Sequence, residues 1–371
     1  MNQLILNTKI HAFDSCAAFA QTFGLGADDL VLTNEYIYKP HFGSLDLPVH
    51  TIFQEAYGAG EPTDTMVDAI IKDAAAFGCR RIIAIGGGTV IDIAKVLSVA
   101  ADEPVDALYA LAPELPKRRE LIIVPTTCGT GSEVTNIAII NRTRLGVKMG
   151  LVAPALYAEH AALVPQLLEG LPFPVFAASS IDALVHAVES ALSPKATPYS
   201  RIFSYKAIEM ILKGYQQIVK KGREARVPLL SEFLIASNFA GIAFGTAGCA
   251  AVHAISYPLG GKYHVPHGES NYAVFTGVLK AYMELHNGGE LAVMNEYLAG
   301  LLGCPVELVY PELEALLDQI LPKKPLHAYG VTPEDLPKFT QSVMQTQGRL
   351  MANSFTPLDE FRVLKIYQEL Y

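Results

Sequence analysis

RIIAIGGGTVIDIAKVLSVA, residues 81–100, sets an apolar run, a glycine turn and a second apolar run in immediate succession. Arg81–Ile85 is an apolar run of strand length. Gly86-Gly87-Gly88-Thr89 follows at once, and Val90–Ala100 reads as a helix. Glycines between a strand and a helix let the backbone approach a bound group closely. The helix behind them offers free N–H groups and the positive end of its dipole, which suits a pyrophosphate. The run is not GxGxxG, and no Gly-Lys-Ser/Thr follows it, so a tight structural turn fits these residues equally well.

On either side of it the same alternation recurs. Residues 29–38 begin with an apolar run that suits a buried strand, and Val49, Thr51 and Phe53 alternate as in another. Residues 61–78 carry Pro62 early, apolar Met66, Ile70, Ile71 and Ala74, and Gly78 late, which is the polarity of a helix. Leu121–Val124 is a further strand, followed by Pro125-Thr126-Thr127-Cys128-Gly129-Thr130-Gly131-Ser132-Glu133. Thr130 and Glu133 have capping-box spacing, which predicts a helix start there. Alternating strands and helices predict a parallel sheet with helices on its faces. Two loops at the carboxyl ends of neighbouring strands would form the crevice in which such sheets bind ligands.

The strand pattern stops near Gly170–Pro174, which places a boundary near residue 175 between domains 1–175 and 176–371. Beyond it the period is helical, with long candidates at Tyr199–Val219, Leu229–Phe244 and Pro311–Ile320. The first helix is expected over Ser180–Leu192, capped by Ser179 or Ser180. Its apolar face is Ile181, Leu184, Val185, Val188 and Leu192, while Asp182, His186 and Glu189 share the other side. That side is either a solvated stripe or a carboxylate and imidazole one turn apart, able to chelate one divalent ion. Further ligands would come from Val252–Tyr272, VHAISYPLGGKYHVPHGESNY, which holds His253, His264 and His267. Pro258, Gly260, Gly261, Pro266 and Gly268 make this stretch read as a turn-rich connection. Asp182 with three histidines would suit Fe(II) or Zn.

Composition bounds the function class. Hydrophobic residues form 51% of 371 and charged residues 18%, as in a packed globular protein. The net charge of −9, without blocks of like charge, argues against nucleic acid as a partner. No apolar run is read as long enough to span a membrane, and the N-terminus lacks a signal-peptide pattern. Five scattered cysteines with no CxxC spacing read as reduced thiols, so a cytoplasmic protein is expected.

Four motifs in order then carry a resemblance. Gly86-Gly87-Gly88-Thr89 with Asp92 and Lys95, the run Pro125–Glu133, Asp182–His186, and His253 followed by His267 resemble the iron-containing alcohol dehydrogenases almost end to end. The resemblance implies an N-terminal Rossmann-like dinucleotide-binding domain and a C-terminal helical metal-binding domain, the fold shared with dehydroquinate synthase. It implies Asp182, His186, His253 and His267 as metal ligands, with Fe(II) expected and Zn an alternative. Gly86, Gly87, Gly88, Thr89, Asp92, Thr126, Thr127, Thr130 and Lys148 would serve the cofactor. Relatives carry an acidic residue where this chain has Asn34, and a carboxylate there would repel a 2′-phosphate. NAD is thus expected, with NADP not excluded.

Another departure is Tyr257, where relatives have histidine; His264 is the candidate to relay protons in its place. The expected substrate is a short hydroxy acid and its aldehyde, whose carboxylate Lys262 would meet unless it is an ordinary surface lysine. A homo-oligomer, a dimer, is expected. The competing readings are a broader short-chain alcohol or diol dehydrogenase, a cyclase or lyase on the same fold, and a nucleotide-binding protein without catalysis.

Overall fold

In the computed structural model, which describes residues 2–371, the chain divides into two units. One is Leu6–Leu171; the other is Pro172–Tyr371 with the segment before Leu6. The first is built on strands β1 (Lys9–Ala12), β2 (Asp29–Thr33), β3 (His50–Phe53), β4 (Arg81–Gly86), β5 (Glu120–Pro125), β6 (Ile137–Arg142), β7 (Val147–Val152) and β8 (His160–Leu163). Its helices are α1 (Cys16–Phe23), α2 (Glu35–Phe42), α3 (Asp64–Ala75), α4 (Gly88–Val99) and α5 (Val105–Leu111). Six strands form one parallel sheet in the order β1-β8-β5-β4-β2-β3, and β6 and β7 make a separate antiparallel hairpin.

Parallel strands joined by helices are covered on both faces, so they need continuous apolar runs rather than alternation. Leu30, Val31 and Leu32 of β2, Ile82–Ile85 of β4 and Leu121–Val124 of β5 are all fully buried. The Gly86–Gly88 turn sits at the centre of the sheet. A Cβ on Gly86 would lie 2.5 Å from Val90 Cβ, so the turn between β4 and α4 closes only with glycine there. The Thr130–Glu133 region departs from expectation. Gly131 takes φ +54°, and only a single 3-10 turn, Ser132–Val134, forms. The Thr130 hydroxyl accepts from Ser132 N at 3.3 Å instead of capping an α-helix.

The second unit is helical: α6 (Phe173–Leu192), α7 (Pro198–Lys221), α8 (Leu230–Ala247), α9 (Ala251–Tyr263), α10 (His267–Leu285), α11 (Gly289–Leu302), α12 (Val309–Ile320), α13 (Asp335–Thr346), α14 (Gly348–Met351) and α15 (Glu360–Leu370). α6 starts seven residues before the expected Ser180, with Pro174 in its first turn, where a missing N–H costs nothing. Ser180 does not cap it; its hydroxyl bonds back to Phe176 O at 2.8 Å.

Two segments, Phe173–Leu192 and Arg223–Ala247, are long and apolar enough to cross a membrane by length and composition, contrary to the sequence expectation. Of these apolar windows, 83% and 56% lie buried inside the unit, so the apolar surface serves helix-to-helix packing.

The largest correction concerns Val252–Tyr272. It is not a turn-rich loop but two helices, α9 and α10, with His264–Pro266 between them. Pro258 lies inside α9, where it removes one helical N–H. Burial of Val252, Ile255 and Leu259 holds the helix together across it, and Tyr367 Oη donates to Ile255 O at 2.6 Å. α10 approaches α6 so closely that a Cβ on Gly268 would stand 2.1 Å from Ala178 O. Gly268→Ala is therefore expected to lower stability by about 1–3 kcal/mol. Urea unfolding would read it, and an unchanged midpoint would contradict this packing.

Candidate metal centre and nucleotide loops

α6, α9 and α10 each bring ligating side chains to one point. Asp182 and His186 are one turn apart on α6, His253 sits in the first turn of α9, and His267 is the first residue of α10. Ligand atoms of all four lie within 4.8 Å of one another. His186 Nε2 is 3.0 Å from His253 Nε2, and Asp182 Oδ1 is 3.8 Å from both His253 Nε2 and His267 Nε2. Four ligands at ~2.1 Å around one tetrahedral ion stand ~3.4 Å apart, so this spacing fits a single divalent cation. The solvated-stripe alternative fails, because Asp182, His186 and Glu189 are all buried. Burial alone would push the Asp182 carboxyl up. The His186, His267 and His253 imidazoles and the Asn271 amide outweigh it and hold the group below the usual carboxylate range.

Glu189 and Asn271, to which the sequence assigned no role, orient these ligands. The buried Glu189 carboxylate accepts from Ala250 N at 3.0 Å, Val252 N at 2.5 Å and His253 Nδ1 at 2.6 Å. With Nδ1 donating to a carboxylate, His253 Nε2 keeps its lone pair toward Asp182, the arrangement of a carboxylate-oriented metal ligand. Asn271 lies one turn after His267. Ser256 donates to its Oδ1, so its Nδ2 faces the ligand set, 2.7 Å from Asp182 Oδ1. Spacing was the available signal: Glu189 is seven residues after Asp182, and Asn271 four after His267. Phe244 stacks on His186 with centroids 4.4 Å apart, closing that side to water. Tyr257, one turn after His253, places its ring 6.3 Å from that of His267.

A second group, Glu189, Cys249 and His253, also clusters within 4.8 Å. Three donors already occupy Glu189. Burial, with Glu189 and Asp182 adding to it, pushes the Cys249 thiol well above its usual range. With Glu189 already taken by three donors, Asp182 and the three histidines are the better candidate set for the ion.

Among the described residues, two of the expected site residues make no hydrogen bond to the ligand cluster. The Lys262 ammonium pairs with Asp335 of α13, which also takes the Tyr263 hydroxyl and Thr332 N, so its charge is already matched. His264 ends α9 in the left-handed conformation at φ +54°, and its side chain is exposed. Among the described residues it makes no hydrogen bond to the ligand cluster, so the relay expectation has no support in its placement.

In the first unit the two loops lie against each other. Thr126 N donates to Gly86 O at 3.1 Å. A Cβ on Gly87 would stand 3.6 Å from the Thr127 methyl, and one on Gly88 3.2 Å from the Thr130 methyl. Thr89 Oγ1 donates to Gly60 O at 3.0 Å, and Lys148 of β7 pairs with Glu61 at 2.6 Å. Asp92 is used differently from a direct cofactor contact. Both its oxygens take protein donors, Ser132 Oγ at 3.1 Å and Ile139 N at 3.0 Å. Lys95 Nζ donates to Ser132 Oγ, Thr135 Oγ1 and Ile137 O at 2.7–3.0 Å. Burial raises the Asp92 carboxyl and lowers the Lys95 ammonium to about 8, while each charge opposes the shift of the other. This buried pair anchors the 130–139 segment to α4.

Comparison with known proteins agrees with this geometry. Residues 11–165 match the family described as iron-containing alcohol dehydrogenase, and residues 176–371 match the Fe-containing alcohol dehydrogenase family, C-terminal. The chain belongs to the iron-containing alcohol dehydrogenases. Within that family it is 47% identical to the 4-hydroxybutyrate dehydrogenase of Clostridium kluyveri, over 100% of both chains. It is 33% identical to long-chain-alcohol dehydrogenase 1 of Geobacillus thermodenitrificans, over 92% of this chain and 89% of that one. The fold matches the crystal structure of sulfoacetaldehyde reductase from Bifidobacterium kashiwanohense, solved in complex with NAD+, with a TM-score of 0.86 at 21% identity, covering 100% and 98% of the two chains.

Replacing Glu189 by Gln would set an amide NH₂ among three donors and free His253 to rotate. Metal affinity is expected to fall about ten- to a hundred-fold. Competition with a chromophoric chelator measures it, and wild-type affinity in a folded Glu189→Gln protein would contradict the orienting role.

Proposed function

We propose that the protein interconverts 4-hydroxybutyrate and succinate semialdehyde with NAD(H), using iron held by Asp182, His186, His253 and His267. The observation that carries this reading is the 47% identity, end to end, to a 4-hydroxybutyrate dehydrogenase. The buried carboxylate and three imidazoles, spaced for one ion, support it. When bound, the ion supplies Lewis acidity toward an alcohol or aldehyde oxygen, and the nicotinamide supplies the two-electron acceptor or donor.

The protein's own residues prepare that chemistry. Glu189 fixes which nitrogen of His253 faces the ion, Asn271 fixes Asp182, and Phe244 shields His186. The Gly86–Gly88 turn offers the backbone at the start of α4 to a pyrophosphate, and Asp92 with Lys95 holds the facing loop rigid. In the oxidising direction one alcohol loses a proton and a hydride, giving the aldehyde, NADH and a released proton.

The distal carboxylate of such a substrate calls for a cation. Lys262 is matched by Asp335, and the role falls to Arg349. Asn353, one turn further on, donates to Cys249 O at 3.0 Å, and α14 packs on α9. Residues 348–353 therefore cover the turn that leads into His253. Arg349 is exposed on α14, within this covering segment.

Two measurements check the reading. Metal removal is expected to abolish NADH oxidation by succinate semialdehyde, and Fe(II) or Zn to restore it. No activity with either ion would sink the proposal. Arg349→Met is expected to raise KM for succinate semialdehyde about ten-fold or more while leaving butyraldehyde unaffected. Equal effects on both aldehydes would remove Arg349 from the carboxylate's site.

A further inference from the structure

The carboxyl ends of β3, β2 and β4 lie side by side, with Thr33 paired to Phe53 on one side and to Ile85 on the other. Immediately beyond these residues come Gln54-Glu55, Asn34 and the Gly86–Gly88 turn. In open α/β sheets this edge, beside the glycine turn, is where the ribose of a dinucleotide meets an acidic side chain. The residue that follows β2 is Asn34, which carries no charge. A carboxylate nonetheless stands there, delivered by the neighbouring strand. Asn34 Nδ2 donates to Glu55 Oε2 at 2.8 Å and to Gln54 Oε1 at 3.2 Å, and Glu35 N donates to Glu55 Oε1 at 2.7 Å. These bonds use both Asn34 amide protons and leave each Glu55 oxygen a lone pair.

The surroundings leave this carboxylate open to a ligand. Glu55 is exposed, and it faces the N-terminal end of α2, where the helix dipole stabilises negative charge. Lysine in reach of α2 is already taken: Lys39 pairs with Glu35 at 2.6 Å. Among the described residues no lysine, arginine or histidine pairs with Glu55.

We infer that Glu55, held in place by Asn34, is the residue that sets the cofactor preference, accepting from ribose hydroxyls and repelling a 2′-phosphate. The inference rests on the nucleotide reading of the Gly86–Gly88 turn. It also assigns Asn34 a purpose: an aspartate there would put a second carboxylate against Glu55, whereas the amide turns the contact into a hydrogen bond.

Binding of NADH and NADPH to the metal-loaded full chain, followed by nucleotide fluorescence, tests this apart from turnover. Wild type is expected to bind NADH tighter than NADPH. In Glu55→Gln the NADPH Kd is expected to fall about ten-fold, the NADH Kd to rise a few-fold, and the preference to shrink accordingly. Glu55→Arg should favour NADPH outright. A preference for NADH that survives in both variants would overturn the assignment of Glu55 alone. Wild type binding the two nucleotides equally would overturn it as well. Wild type binding neither would overturn the nucleotide reading and Glu55 with it. A purely structural role would weaken both nucleotides together and leave their ratio unchanged, which also counts against the inference.

Discussion

Two buried carboxylates on one apolar helix, Asp182 and Glu189 of α6, are the constraint around which the helical unit is arranged. An unpaired buried carboxylate costs several kcal/mol, so each must find compensation. Glu189 finds it in three N–H donors at the start of α9, which fixes that helix against α6 and delivers His253. Asp182 finds it in imidazoles from three helices and in Asn271, an arrangement that a cation would complete. α10 meets this demand by approaching α6 through Gly268, and so carries His267 and Asn271 into place. The ligand geometry is thus a consequence of neutralising charge inside an apolar bundle.

The first unit solves a similar problem with an internal pair. Asp92 and Lys95, both on α4, bury opposite charges and spend their hydrogen bonds on the segment after β5. The glycine turn at one side of that segment and the threonines at the other are held by this network rather than by a long helix. Rigid loops on a parallel sheet offer a preformed surface, so a bound nucleotide need not order them at its own cost.

Much of this was legible in the chain. Strands β2, β4 and β5 are short apolar runs bounded by turn residues, and Asp182 and His186 stand at helical spacing. What escaped has physical causes. Pro258, Gly260 and Gly261 are local helix breakers, and the helix α9 exists because long-range burial overrides them. The Thr130–Glu133 spacing matched a capping box, but Gly131 in the left-handed region turned the backbone away. The Lys262–Asp335 pair spans 73 residues, and the Glu55–Asn34 pair depends on two strands being neighbours, so neither could be read from local pattern. Glu189 was visible on the right face, yet its role depends on where the start of α9 lies.

X-ray absorption on the metal-loaded protein reads the ion's ligands directly. One ion per chain is expected, with three nitrogen scatterers and carboxylate oxygen near ~2.0–2.2 Å, and no sulfur. A sulfur shell near ~2.3 Å would place the ion with Cys249 instead, and would contradict the assignment of Asp182, His186, His253 and His267 as its ligands.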